Sequence, residues 1–338
     1  MADATVVTRD ERGNWRPDYL KELPAPWLWP PRPLGVLRWF FGWPGYLWPW
    51  YAIYLGVAVL AWYFLTPPLA AMTSFEAWWI ALIFARNLCL AIFFFGGMHL
   101  YLYVFKVQGT DFRYSTRIEQ PSGRSRHFGS QVRENVFWSL VSGVTIWTGY
   151  EAVTWWLYAN ELIPYLDFAE NPVWFVVLMV LIPLIRDVHF YLTHRLLHWK
   201  PLYRHAHYLH HRNINIGPWS GLSMHPIEHL IYFSGVVVHW VVASHPLHAM
   251  FHLVHMGLSP AGGHSGFDRF GTEGGRSLSI GLYMHYLHHQ YFECNYGSDE
   301  MPIIDKLMGT YHDGSDEAHE RMKRRLRQRQ WARTAAST

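Results

Sequence analysis

Formally charged residues vanish between Trp39 and Phe75, and comparable apolar runs recur along the first two thirds of the chain. A bilayer core takes about 20 apolar residues in helix. The first candidate span covers 46–65, entered through an aromatic belt from Trp43 to Trp50 that suits the membrane interface. A second covers 78–105, interrupted by Arg86 and His99, which are expected to face protein or snorkel rather than meet lipid. A third covers 136–158. A fourth begins near Val173 and runs directly into a helix bearing Asp187. From His229 to Phe267 the chain is again uncharged but carries seven histidines. That run is expected to lie in the membrane-facing half of the last large domain, as a re-entrant pair or shallow hairpin. A glycine-rich turn from Gly262 to Asp268 follows, with His264 inside it.

Charge then orients the spans. The arm carries Arg9, Arg12, Arg16, Lys21, Arg32 and Arg38, with no apolar core of the signal-peptide kind before residue 34. The 106–134 loop sets six bases, Lys106, Arg113, Arg117, Arg124, Arg126 and Arg133, against three acids, whereas the connections at 66–76 and 159–172 carry none. Basic loops stay cytoplasmic. The pattern therefore predicts an all-α, polytopic, multi-pass membrane protein with about four transmembrane helices. Both termini and a helical, histidine-bearing cap are cytoplasmic. The tail from Arg321 to Arg333 holds seven Lys/Arg, enough to rest on an anionic leaflet or to form a solvated helix.

Composition narrows the chemistry. A net charge of +3 is too small to imply nucleic acid, and 51% hydrophobic content over 338 residues permits a large core. Cys89 and Cys294 cannot build a disulfide framework, a cysteine-rich zinc site or an iron–sulfur cluster. Imidazole is left, and 18 of the 22 histidines lie between His189 and His289.

Spacing groups them. Asp187, Tyr191, His194 and His198 share one helical stripe; His207, His210, His211 and His285, His288, His289 each repeat an HxxHH pattern. A lone histidine on an apolar face is ordinarily a satisfied core residue, but eight in three spaced sets outweigh that reading. They also exceed the four ligands of one zinc, so a two-metal site is the economical solution, with iron, copper or zinc equally suited by ligand type. At the cytoplasmic ends of membrane helices such a site meets a lipid entering from the bilayer. His189 sits about 140° from His194 around its helix and reads as packing. His99, His127, His205, His239, His312 and His319 lack paired spacing and read as structural. Asp187 reads as the partner of a ligand imidazole in preference to an ion-pair partner of Arg186 or Arg195. Glu228 suits either orienting a histidine or neutralising Arg212.

The ordered set His194-Arg-Leu-Leu-His198, His207-Tyr-Leu-His210-His211, His225-Pro-Ile-Glu228, His264-Ser-Gly-Phe-Asp268, His285-Tyr-Leu-His288-His289, Asn295-Tyr-Gly297 and Asp305-Lys-Leu-Met-Gly-Thr310 resembles the fatty acid hydroxylase superfamily, which includes sterol desaturases, sphingolipid hydroxylases and sterol C4-methyl oxidases. The likeness covers about 173–312. It divides the chain into an arm (1–44), spans one to three with their connections (45–172), a hydroxylase-like catalytic domain (173–312) and a basic tail (313–338). The resemblance implies a non-haem di-iron centre that uses O2 to hydroxylate or desaturate a lipid. Its implied ligands are His194, His198, His207, His210, His211, His264, His285, His288 and His289, with a further one at His248 or, second, His225. Hydrogen abstraction followed by rebound gives an alcohol, the default outcome; a second abstraction gives an alkene. No haem, flavin or nicotinamide fingerprint is present, so the electrons are expected from a separate cytochrome b5-like protein, ferredoxin, or rubredoxin with its reductase.

Two rival readings stand beside it. His225, Glu228 and His229 fit the HxxEH pattern of a membrane zinc metalloprotease. His239 and His252 could ligate a haem for electron transfer.

Overall fold

The structure is a computed structural model, and it describes residues 9, 13–17, 23–116, 128–271 and 277–335. Of the residues named above, Arg12, Lys21, Arg117, Arg124, Arg126 and His127 lie outside the described residues.

The chain is mostly helical. Helix α1 (Pro33–Phe41) precedes α2 (Trp50–Leu65), α3 (Ala77–Val104), α4 (131–159) and α5 (Pro172–Leu197). The four apolar runs of the sequence each become one of the last four of these. Of them, α3 and α5 are long and apolar enough to cross a membrane, and only 28% of each apolar window is buried. A core helix of a soluble protein would hide most of such a window. Here Phe93, Val173 and Leu192 point outward.

Polar residues inside these helices face one another. Arg86 and Asn87 of α3 meet Glu151 of α4. Asn87 Nδ2 donates to Glu151 Oε2 (2.9 Å), Trp155 Nε1 donates to Oε1 (2.8 Å), and Arg86 pairs with Oε1 while also donating to Thr66 Oγ1 (2.7 Å). A buried charge is tolerated when so completely satisfied. The pair pins α3 to α4.

A second set of elements follows. It comprises α6 (200–211, widened to a π-turn over Tyr203–His207), α7 (Pro226–Phe233), α8 (Pro246–Gly263), α9 (Tyr283–Tyr291), α10 (Pro302–Leu307) and α11 (Asp316–Ala335). The uncharged run becomes α7, a short connection and α8. Helix α8 is the molecule's centre, buried at every residue but Ser259 and packed on α2, α4, α5 and the 218–222 turn. A Cβ on Gly257 would come within 2.5 Å of the Trp147 ring, so glycine sets how closely α8 approaches α4. One departure from the all-α expectation is a two-residue antiparallel hairpin, β1 (Arg269–Phe270) with β2 (Leu278–Ser279). It is too short to form a layer and serves to turn the chain from α8 back to α9. The arm is tied down at two places: Trp15 N donates to the Tyr114 carbonyl (2.8 Å) in the loop after α3, and Trp27 Nε1 to the Glu300 carbonyl (3.0 Å) before α10.

Candidate metal centre

Three helices and one helix end converge on a single point. Helix α5 delivers His194 and ends on His198, α6 delivers His207, His210 and His211, the C-cap of α8 is His264, and α9 delivers His285, His288 and His289. These nine imidazoles fall into two groups: His194, His198, His207, His211 and His288, and His210, His264, His285 and His289. Within each, the ligand atoms all lie within 4.8 Å of one another.

The HxxHH spacing explains the partition. Residues four apart on a helix share a face, and adjacent residues lie about 100° apart. His207 and His211 therefore enter the first group while His210 turns into the second. In α9 the arrangement is reversed: His285 and His289 enter the second group and His288 crosses to the first. Each of these helices thus serves both groups.

The inner nitrogens are the Nε2 atoms. His198 Nε2 lies 3.1 Å from Nε2 of His207, His211 and His288. His264 Nε2 lies 3.3 Å from His210, 3.2 Å from His289 and 2.9 Å from His285. Ligands about 2.1 Å from a shared cation stand about 3.0 to 3.4 Å apart, depending on geometry.

The outer nitrogens fix the protonation. A carbonyl can only accept, so Nδ1–H must donate where it meets one: His194 to Tyr296 (2.8 Å), His288 to Cys294 (2.6 Å), His210 to Ser223 (3.3 Å) and His264 to Pro260 (3.2 Å). His210 and His264 therefore confront each other through two Nε2 lone pairs. Adding a proton would relieve the repulsion, but burial holds His210 down to about 4. His207, His211, His288 and His289 are likewise held well below the ordinary imidazole value, first by burial and then by neighbouring imidazoles. Neutral rings with converging lone pairs are the donor set of a metal, and the residues fit two cations.

The loop beyond α9 supplies two of those carbonyls and is itself locked. Asp305 accepts from the amides of Tyr296 (2.9 Å) and Gly297 (2.7 Å) and from Thr310 Oγ1 (2.6 Å). Asn295 donates to the Met284 and His312 carbonyls. A Cβ on Gly297 would stand 2.9 Å from Asp305 Oδ2. The Asn-Tyr-Gly and Asp305–Thr310 motifs thus hold the carbonyls that orient His194 and His288.

His207 Nδ1 donates to Glu228 Oε1 (2.7 Å), while Arg212 pairs with Glu134 (3.0 Å), so Glu228 serves the histidine. Burial raises the Glu228 carboxyl well above the usual range. Asp187 touches no imidazole among the described residues; its carboxylate accepts from Arg186 (2.9 Å) and Ser298 (2.8 Å) and so acts on the 296–300 loop. His248 and His225 stand in neither group. His248 donates to the Phe175 carbonyl and accepts from the His245 amide; His225 caps α7 by accepting from Ile227 N (3.2 Å). Both follow or head a His-Pro helix start, a capping signal that the sequence reading passed over.

The rival sites do not assemble. His229 spends both nitrogens on Ser142 (2.9 Å) and the Leu222 carbonyl (3.1 Å), away from Glu228's partner. His239 and His252 hydrogen-bond each other at 3.1 Å, which leaves no room for a haem between them.

A cavity opens beside the centre, reaching His194 and His207 of one group and His210, His264 and His285 of the other. Its remaining walls are largely aromatic and aliphatic, among them Trp50, Phe190, Met224 and Leu282.

Residues 179–310 match the fatty acid hydroxylase family model. Among curated proteins, the Delta(7)-sterol 5(6)-desaturase of Candida glabrata is 28% identical over 44% of this chain and 41% of its own length. ERG3B of Gibberella zeae, of the same name, is 31% identical over 37% and 38%. Methylsterol monooxygenase 1 of Gallus gallus is 30% identical over 44% and 51%. The chain thus spans between about two fifths and one half of the length of these relatives. No solved structure matches it.

Proposed function

We propose, for a chain whose residues 179–310 match the fatty acid hydroxylase family model, that it is a membrane-embedded oxygenase that hydroxylates or desaturates a lipid with O2 and externally supplied electrons. The observation that carries this reading is the lone-pair contact between His210 and His264 inside a set of nine buried or half-buried imidazoles. Two non-haem irons, when bound, supply the O2 activation and the electron exchange. His194, His198, His207, His211 and His288 would hold one, and His210, His264, His285 and His289 the other.

The protein's own residues do the rest. Main-chain carbonyls at 223, 260, 294 and 296 keep the Nε2 lone pairs facing inward, and Glu228 does the same for His207. The cavity walls exclude water and bring a C–H bond against both groups. Placement in that cavity decides between an alcohol and an alkene, because the ligands serve both outcomes. Sterol-directed names among the relatives favour a polycyclic or long-chain lipid as substrate. Four spans, α2 to α5, would put the histidines and both termini on the cytoplasmic side, where a separate cytochrome b5-like, ferredoxin or rubredoxin donor can reach half-buried His198.

Metal analysis of purified protein together with comparative lipidomics of cells with and without the gene tests the reading. The expected result is non-haem iron and a lipid that differs by one added oxygen atom or two lost hydrogen atoms. Stoichiometric zinc alone, or unchanged lipids with iron bound and reductant present, would defeat it.

A further inference from the structure

Arg186, Phe190, His194 and Leu197 follow one another along the stripe of α5 that faces the cavity. At 1.5 Å per residue, Arg186 stands about 12 Å along the axis from His194. It is 8% exposed, within a helix apolar enough for a membrane, where an arginine is costly and marks function. One terminal nitrogen donates to Asp187 Oδ1 (2.9 Å) and the other to Ser259 Oγ (3.2 Å), and Phe190 lies under the guanidinium at 5.3 Å. Tyr232 also hydrogen-bonds the guanidinium, accepting through its oxygen while its own proton goes to the Met256 carbonyl (2.8 Å). The Nε–H is buried and has no acceptor among the described residues.

A second unpartnered atom borders the same cavity. His255 is 2% exposed, its ring packs on Tyr51 and Tyr54 at 4.9 and 5.3 Å, and its Nδ1 has no partner among the described residues. Buried polar atoms left unpaired are costly, and two in one cavity wall form half of a recognition site.

We propose that the lipid taken by this cavity carries a neutral oxygen, a hydroxyl or a ketone, that accepts from Arg186 Nε with His255 as its second polar contact. This anchor selects which carbon reaches the histidines. The inference rests on the lipid-oxygenase reading above. Neutrality follows from the pairing: Asp187 already balances Arg186, so the guanidinium offers an entering carboxylate or sulfate no uncompensated charge. Distance follows from the helix, which places the oxidised carbon roughly 10 Å from the anchored oxygen.

The test is competition binding by the full-length protein in nanodiscs, read by mass spectrometry of retained lipid, with metal content measured in the same samples. One probe set is cholestanol, cholestane and cholesteryl sulfate; the other is 1-octadecanol, octadecane and octadecanoate. On at least one skeleton the alcohol should be retained about tenfold over both hydrocarbon and anion, the worth of one buried hydrogen bond. Arg186→Lys keeps a cation for Asp187 but lacks Nε–H, and His255→Phe keeps a ring against Tyr51 and Tyr54. Each should shrink the preference to about threefold or less with metal content unchanged. Equal retention across both sets, retention of none, a winning anion, or full discrimination by both variants overturns the proposal. Absence of metal from the wild-type protein instead overturns the oxygenase reading beneath it.

Discussion

Two populations of buried histidine lie within the same hundred residues and meet opposite fates. In the metal centre, each ring sends one nitrogen outward to a carbonyl, a carboxylate or no partner, and turns Nε2 toward several others. Along α8 and its approach, the nitrogens that find partners are matched singly: His239 with Ser244 and His252, His248 with Phe175 and His245. Burial is the same in both regions. What differs is whether lone pairs are shared out or concentrated, and only concentration calls for a cation.

The sharpest break in that comparison comes from removing one histidine of each kind. His289→Ala should abolish turnover and lower bound metal by half or more, because a four-nitrogen group loses one of its ligands. His239→Ala should keep its metal and lose about 1–3 kcal/mol of stability, the cost of stranding the His252 Nδ1 and Ser244 partners. Iron analysis beside a melting curve separates the two, and equal metal loss in both would erase the distinction.

Glu228→Gln probes the boundary of the centre. The amide still accepts from His207 Nδ1 but offers no carboxylate, so metal affinity or turnover should fall by about 10–100-fold with the fold intact. Wild-type turnover and affinity would show that Glu228 merely fills space.

The smallest effect concerns Glu300, on the cavity wall away from both groups. Burial, and then the charge of Asp187, raise its carboxyl from 4.5 to about 7. Between those values the folded protein holds a proton on Glu300 that the unfolded chain releases, so the contribution of Glu300 to stability falls as pH rises through that window. Melting curves across it should show the wild type losing stability relative to Glu300→Gln as pH rises, on top of the pH slope that both share from their buried histidines.

Much of this was legible in the residues. Spacings of three and four on a helix announce a shared face, so the three boxes and the helices bearing them could be read directly. The division into two groups could not, because it depends on how α6 crosses α9. The carbonyls at 223, 260, 294 and 296 were invisible for another reason: the main chain looks alike at every position, and only the fold decides which carbonyl meets a ring. Arg86 could be read as facing protein, but not its partner Glu151, 65 positions away. His248 and His225 show the opposite error, since a histidine beside a His-Pro helix start can cap that helix as readily as it binds metal.

The adjacent pairs His210–His211 and His288–His289 make the two halves of the centre mechanically inseparable. Seating a first cation fixes the rotational phase of α6 and α9, and that phase alone aims the remaining rings at the second position. Loading should then be cooperative, with half-filled protein scarce at every metal concentration, so that a cell short of the metal would hold a mixture of complete and empty molecules rather than a uniform population of crippled ones.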